Sequence, residues 1–170
     1  MRRFPAAALI GLVAAVSLTA ASSAARVTWD EKAKDGKVAV MRFQIETFTF
    51  GKNAWSAHVT ISNLSKQTIR VGNNFGAAIF GDSKTEDLRN EIGFAVASTF
   101  KPARPQVLKP GASWTGTIGG EGQLQPSGST RWARIVLGPL EGLPGQSGAV
   151  WWVTDHALTV PPKGSSGPVI

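Results

Sequence analysis

A chain of 170 residues, 42% of them apolar, is long enough for one domain with a core of its own. It has no cysteine, which excludes a disulfide scaffold, zinc sites built on thiolates and a lipid anchor on an N-terminal cysteine. Its 18 basic and 11 acidic residues give a formal charge of +7, but the basic residues are scattered rather than striped, which argues against nucleic acid as a partner.

Met1-Arg2-Arg3 is a short basic start, and Phe4 to Leu18 is mostly Ala, Leu, Val and Ile. Ser22-Ser23-Ala24-Ala25 supplies the small residues that a signal peptidase needs near its cut. Residues 1–25 are therefore expected to be a secretory signal peptide, cut after Ala24 or Ala25, and the mature protein to be secreted or periplasmic. The apolar run is short for a span of about 20 residues. Phe4 and Pro5 directly after the two arginines argue against the twin-arginine route. Losing Arg2 and Arg3 leaves 16 basic against 11 acidic residues, a charge of +5, which favours anionic surfaces or simple solubility. No later stretch is long and apolar enough to span a bilayer, so no stable membrane insertion is expected after cleavage.

Arg26 to Gly36 is polar, with Trp29 as its only large apolar group, and reads as a lead-in with a short edge strand at Val27 to Trp29. The domain is expected over 37–160. Lys37 to Phe50 is a strand region whose parity slips near Arg42, so that Phe48 and Phe50 rejoin the set of Val38 and Val40. A bulge, or a strand buried on both faces, explains such a slip. Trp55, Ala57, Val59 and Ile61 then alternate with Ser56, His58, Thr60 and Ser62, the period of a half-buried strand. Asn63, Ser65 and Lys66 break it with a turn or arch, and Ile69 and Val71 open the next strand.

Phe75 to Phe80 is short and apolar. Ser83-Lys84-Thr85-Glu86 has the spacing of a capping box, so Lys84 to Asn90 reads either as one or two helical turns or as a charged loop. Ile92 to Phe100, Ala112 to Ile118, Arg131 to Leu137 and Val150 to Val160 read as strands. Between them lie the proline-rich Lys101 to Pro105, the turn Leu108-Lys109-Pro110-Gly111, the glycine-rich Gly119 to Gly128 and a long loop from Gly138 to Gly148. Residues 161–170 read as a flexible tail. About eight antiparallel strands with no long amphipathic helix predict an all-β sandwich of two sheets. Its core is expected to include Trp55, Val59, Ile61, Ile69, Ile79, Trp114, Ile135 and Leu137.

The stretch from Trp55 to Asn63 with the next strand through Val71, then Phe75 to Asp82, then Leu108-Lys109-Pro110-Gly111 followed by the strand Trp114 to Gly119, resembles the secreted immunoglobulin-like domains of bacteria, including small mycobacterial secreted antigens of that fold. The spacing carries the resemblance. What it implies is an immunoglobulin-like two-sheet β-sandwich working outside the cytoplasm without catalysis or cofactor.

Residues able to carry chemistry are few. His58 lies on the polar face of its strand, and Asp155 beside His156 points to the opposite face, so it cannot orient that imidazole as a triad requires. Ser113, Ser129 and Ser147 lack a nucleophile elbow. The acidic cluster Asp82, Glu86, Asp87 and Glu91 has no calcium-loop spacing and is interrupted by Lys84 and Arg89. No catalytic, metal or cofactor-binding residue is expected.

The aromatic inventory is six Trp and no Tyr. Trp55 and Trp114 read as core. Trp132, Trp151 and Trp152, with Arg131 and Arg134 beside Trp132, are candidate ligand contacts, because a flat ring beside a guanidinium suits a partner side chain or a sugar. The alternative is that each packs under a long loop. Two functions follow: an interaction module for an envelope or extracellular protein, or a module for glycan or cell-wall polymer. A flat row of exposed rings favours glycan, and one buried row with a convex polar surface favours a protein partner or no ligand.

Overall fold

The computed structural model describes residues 25–50, 53–121 and 129–160. The expected signal peptide up to residue 24, the tail 161–170 and residues 122–128 of the expected glycine-rich loop lie outside them. In chain order the strands are β1 (Ala25–Asp35), β2 (Val38–Phe50), β3 (Ala54–Asn63), β4 (Ile69–Val71), β5 (Gly76–Phe80), β6 (Glu91–Val96), β7 (Thr99–Lys101), β8 (Val107–Leu108), β9 (Ser113–Glu121), β10 (Arg131–Glu141), β11 (Val150–Val153) and β12 (Leu158–Val160). Two antiparallel sheets pack together, as the alternation predicts. Sheet A runs β1-β2-β3-β9-β7, and sheet B runs β6-β5-β10-β4-β8 with β11 and β12 also on β10. The only helix among the described residues is the 3-10 turn Leu88–Asn90, capped by Asp87. No described helix is long and apolar enough to cross a membrane.

Sheet A shows most directly why these residues form these elements. Along β3, Trp55, Ala57, Val59 and Ile61 are buried while Ser56, His58, Thr60 and Ser62 are half-buried on the outer face. In β2, Ile45 pairs with Val59 and Thr47 with His58, so Glu46 is an extra residue. The sequence pattern predicts a bulge, but near Arg42 rather than at Glu46. The bulge at Glu46 reverses the parity, so Met41, Phe43 and Ile45 before it and Phe48 after it all reach the core. Each such side chain stabilises the fold by about 1.5–3 kcal/mol on burial.

The polar stretch 26–36 is more than a lead-in. All of it up to Asp35 is strand β1, paired with β2 from Ala25–Phe48 to Asp35–Val38, and Gly36 makes the turn with a φ of 57°. Its charged residues hide the strand because β1 is an edge strand. Only one side of one face meets the core, where Val27, Trp29 and Ala33 pack as partly buried groups.

Sheet B has more strands than expected because long strands are interrupted. β4 and β5 lie end to end along one side of β10, pairing Val71 with Leu140 and Gly76 with Val136. Across the gap, Gly72 N donates to Pro139 O at 2.7 Å and Asn74 N to Gly138 O at 3.0 Å. β11 and β12 form a similarly broken strand on the other side, pairing Val136 with Val153 and Ala133 with Leu158. β10 therefore continues through Gly138 and Pro139 to Glu141, where a loop from Gly138 was expected.

The chain passes between the sheets five times, and two of these crossings are held by specific contacts. Asn63, fully buried, forms the arch from β3 to β4. Its amide nitrogen donates to Gln67 O at 2.7 Å and Leu108 O at 2.9 Å, and its Oδ1 accepts from Ser65 N at 2.9 Å and Ser65 Oγ at 2.7 Å. The expected strand Ile92 to Phe100 is two strands, β6 in sheet B and β7 in sheet A. Ala97 N donates to Phe75 O and Ser98 N to Gly119 O at the switch. There β9 passes so close that a Cβ on Gly120 would lie 2.2 Å from Val96 O. Gly119 and Gly120 are thus strand residues at a tight crossing, not the start of a loop.

All eight expected core residues are buried. A second, smaller cluster covers the outer face of sheet B: Ala78, Phe80 and Val136 are buried there, with Leu88, Phe94 and Val153 packed against them. This is why every residue of β5 is buried.

Candidate functional site

The outer faces of the two sheets differ in chemistry. On sheet A, cross-strand hydroxyl pairs run between β3 and β9. Thr60 Oγ1 is 2.9 Å from Thr115 Oγ1, Ser113 Oγ donates to Ser62 Oγ at 2.8 Å, and His58 Nδ1 is 3.3 Å from Thr117 Oγ1. Nearby, Arg42 makes a bidentate pair with Asp30 at 2.7 and 2.8 Å, and that hydrogen bonding holds the Asp30 carboxyl below its ordinary range. His58 is also 3.9 Å from Glu46. Ser113 and His58 therefore belong to a ladder of satisfied polar groups.

On sheet B the outer face is apolar. Ile92 and Val96 on β6 are 54% and 48% exposed, and Trp151 on β11 is 44% exposed. A shallow hollow of about 300 Å³ opens on this face, lined by Asn74, Leu88, Glu91, Phe94, Val136 and Trp151. The 3-10 turn Leu88–Asn90 brings Leu88 and Glu91 to its rim. Burial pushes the Glu91 carboxyl up from its ordinary value. The rest of the acidic cluster is engaged elsewhere. Asp82 accepts from Lys84 N, Asp87 is held at a pKa of about 2 chiefly by hydrogen bonding to Arg89, and Glu86 lies 3.7 Å from Arg134. Among the described residues, the Glu91 carboxyl alone of these four has no hydrogen bond or ion pair.

The five candidate contacts are not brought together. Trp151 and Trp152 face opposite ways. Trp152, half-buried on the inner side, stacks on Phe43 with ring centroids 5.1 Å apart and donates its Nε1 to Glu31 at 3.1 Å. Arg134 is 2% exposed. Its guanidinium donates to Thr154 O at 2.6 Å, to Asp155 O and to Ser83 O at 2.7 Å, and lies over the Phe80 ring. It thus offers nothing to a ligand. Arg131 and Trp132 are half-buried at the start of β10. Trp132, Trp151 and Trp152 form no row of three exposed rings among the described residues. Trp151 is the one exposed tryptophan among the described residues, and it shares its hollow with residues of β6 and the 3-10 turn that sequence reasoning did not select.

Sequence reasoning also missed Glu31. Its carboxyl is 1% exposed and accepts four hydrogen bonds: Trp152 Nε1 and Asp155 N (2.8 Å) on Oε2, and His156 N (3.0 Å) and His156 Nδ1 (2.8 Å) on Oε1. Trp29 stacks on the His156 ring at 5.7 Å. His156 is therefore oriented by a carboxyl group after all, but by one from β1, not by Asp155. The His156 side chain is 57% exposed, and no hydroxyl hydrogen-bonds to its ring among the described residues. Burial, then the Glu31 charge, pushes the Asp155 carboxyl up, against the pull of His156 and Arg134.

No protein-family model, no curated protein and no solved structure matches the chain.

Proposed function

We propose that this protein is an exported, non-catalytic, immunoglobulin-like interaction module that meets a protein partner at the cell envelope or outside the cell. The observation that carries this reading is the apolar outer face of sheet B. Ile92, Val96 and Trp151 are exposed beside a half-buried Phe94 and Leu88, and contiguous exposed apolar groups rimmed by charge mark interaction surfaces. Two antiparallel sheets around a buried tryptophan on a central strand support the immunoglobulin-like assignment. Export is supported by the basic start, apolar run and small residues of the first 25 positions.

A glycan-binding reading has one observation in its favour, the exposed Trp151 beside the polar groups of Asn74 and Glu91. The absence of a flat row of rings among the described residues favours the protein partner. The test is photo-crosslinking on native envelope, comparing the wild-type protein with an Ile92→Lys/Val96→Lys variant. A crosslinked protein lost in that variant supports the reading. Equal crosslinking by both, or capture of polysaccharide only, overturns it.

A further inference from the structure

We propose that the hollow between Trp151, Phe94 and Glu91 is a socket for a single cationic side chain on an apolar stem, a lysine or arginine presented by the partner protein. This deepens the interaction reading and rests on it.

The hollow combines three elements that suit such a group. Leu88, Phe94 and Val136 supply apolar walls for a methylene stem. Trp151, 44% exposed, supplies an indole, the aromatic ring that attracts a cation most strongly through its face. Glu91 supplies a carboxyl group, and Asn74 an amide.

Charge decides between a cation and a neutral apolar guest. Around this loop both arginines are already committed, Arg89 to Asp87 and Arg134 to Glu86 and three carbonyls, while the Lys84 ammonium pairs with no carboxyl group among the described residues, Glu91 included. Among the described residues nothing compensates Glu91. Its half-buried position disfavours its charged form, as its raised pKa shows, and an incoming cation would reverse that penalty. At about 300 Å³ the site lies at the lower limit of small-molecule pockets, which suits one side chain rather than a polymer. Ile92 and Val96 on the same strand would pack against the partner around the inserted group and exclude water from it.

The test is a titration of the isotope-labelled mature protein with n-butylguanidinium chloride, following the Trp151 indole N–H resonance, assigned by its loss in Trp151→Phe. Expected is a saturable shift in the wild type, weakened about tenfold in Glu91→Gln, as loss of a charge-assisted contact implies. n-Butanol, with the same stem and no charge, is expected to bind at least as weakly as the cation binds to that variant. Glu91→Gln is a surface change, and unaltered amide spectra elsewhere confirm that it folds. No saturable shift, equal affinity of wild type and Glu91→Gln, or equal affinity for n-butanol overturns the socket. Saturation by methyl glucoside in place of the cation overturns it in favour of a sugar. If crosslinking still depends on Ile92 and Val96 while the titration fails, the socket is wrong and the interaction face stands.

Discussion

Glu31 and Arg134 hold the same short piece of backbone from opposite polarities. Between β11 and β12, Arg134 takes the carbonyls of Thr154 and Asp155, while Glu31 takes the amides of Asp155 and His156. Thr154 completes the break. Its amide donates to Ile135 O at 3.0 Å, and its Oγ1 accepts from Ile135 N at 3.1 Å, replacing a lost ladder bond. A strand interruption normally exposes unpaired groups to water. Here two charged side chains satisfy them inside the protein, one from each sheet.

Glu31→Gln should therefore cost far more than an ordinary polar substitution at a strand edge. The amide would keep one acceptor but place an NH2 against donors, at a cost of about 2–4 kcal/mol. Urea unfolding measures this. Faster hydrogen exchange at the Asp155 and His156 amides should accompany it. A loss below about 1 kcal/mol would mean that the four bonds contribute little more than one ordinary hydrogen bond.

Arg134→Met keeps much of the stem and removes the guanidinium, leaving the carbonyls of Ser83, Thr154 and Asp155 without their donor. The expected loss is about 2–4 kcal/mol. Because Arg134 is buried, the variant should interact with a partner as the wild type does wherever it remains folded. Selective loss of binding with unchanged stability would restore Arg134 as a contact residue.

Asp155 should make stability fall as pH rises. Its folded carboxyl pKa is raised, first by burial and then by Glu31, above the ordinary value of 3.8. A raised pKa means that the stabilising contribution is present below 3.8 and is lost as pH climbs through the folded value. Asp155→Asn should accordingly raise the thermal midpoint at neutral pH, and the difference should vanish below the ordinary pKa. Melting curves across that range check the sign.

Gly120→Ala adds a Cβ that would meet Val96 O at 2.2 Å and Trp55 Nε1 at 3.0 Å. Backbone cannot move aside as a flexible side chain can, so the strand switch must open, at about 1–3 kcal/mol or more. Gly81→Ala, with nothing within 4 Å of its added Cβ, is the control and should change stability little. Equal midpoints for the two variants would contradict a close crossing.

His58→Ala and His156→Ala test the non-catalytic reading. Both should leave the protein's interaction intact. His156→Ala should cost about 0.5–1.5 kcal/mol for one lost hydrogen bond on Glu31. If either substitution abolishes turnover of any substrate while the fold persists, the protein is an enzyme.

The central strand and the core could be read from the sequence because β3 alternates without interruption and buries one face. Where strands are broken the pattern was blind. β1 looked like a lead-in because most of its side chains are charged, and β10 looked finished at Leu137 because Gly138 and Pro139 read as loop. The candidate contacts failed for a related reason. Neither Arg134 nor Trp152 differs in local sequence from a surface residue, and the partner that fixes Trp152 lies 121 positions earlier. The hollow was legible only in part. Trp151 stood out, but Glu91, Phe94 and Leu88 reach it only because β6 and the 3-10 turn fold over sheet B.

The edges of the two sheets bear on behaviour at high concentration. β1 and β6 are the edge strands among the described residues long enough to template another chain, and β1 carries Arg26, Asp30, Lys32, Lys34 and Asp35. β7, β8, β11 and β12 run for two to four residues each, too short to recruit a neighbouring strand. Any would-be added strand on β1 must match a row of both charges, a frequent natural guard against edge-to-edge assembly. Edge-to-edge growth through β1 should therefore be disfavoured, and neutralising Lys32 and Lys34 should remove that guard before it disturbs the fold, leaving β6, with its exposed Ile92 and Val96, as the less guarded edge.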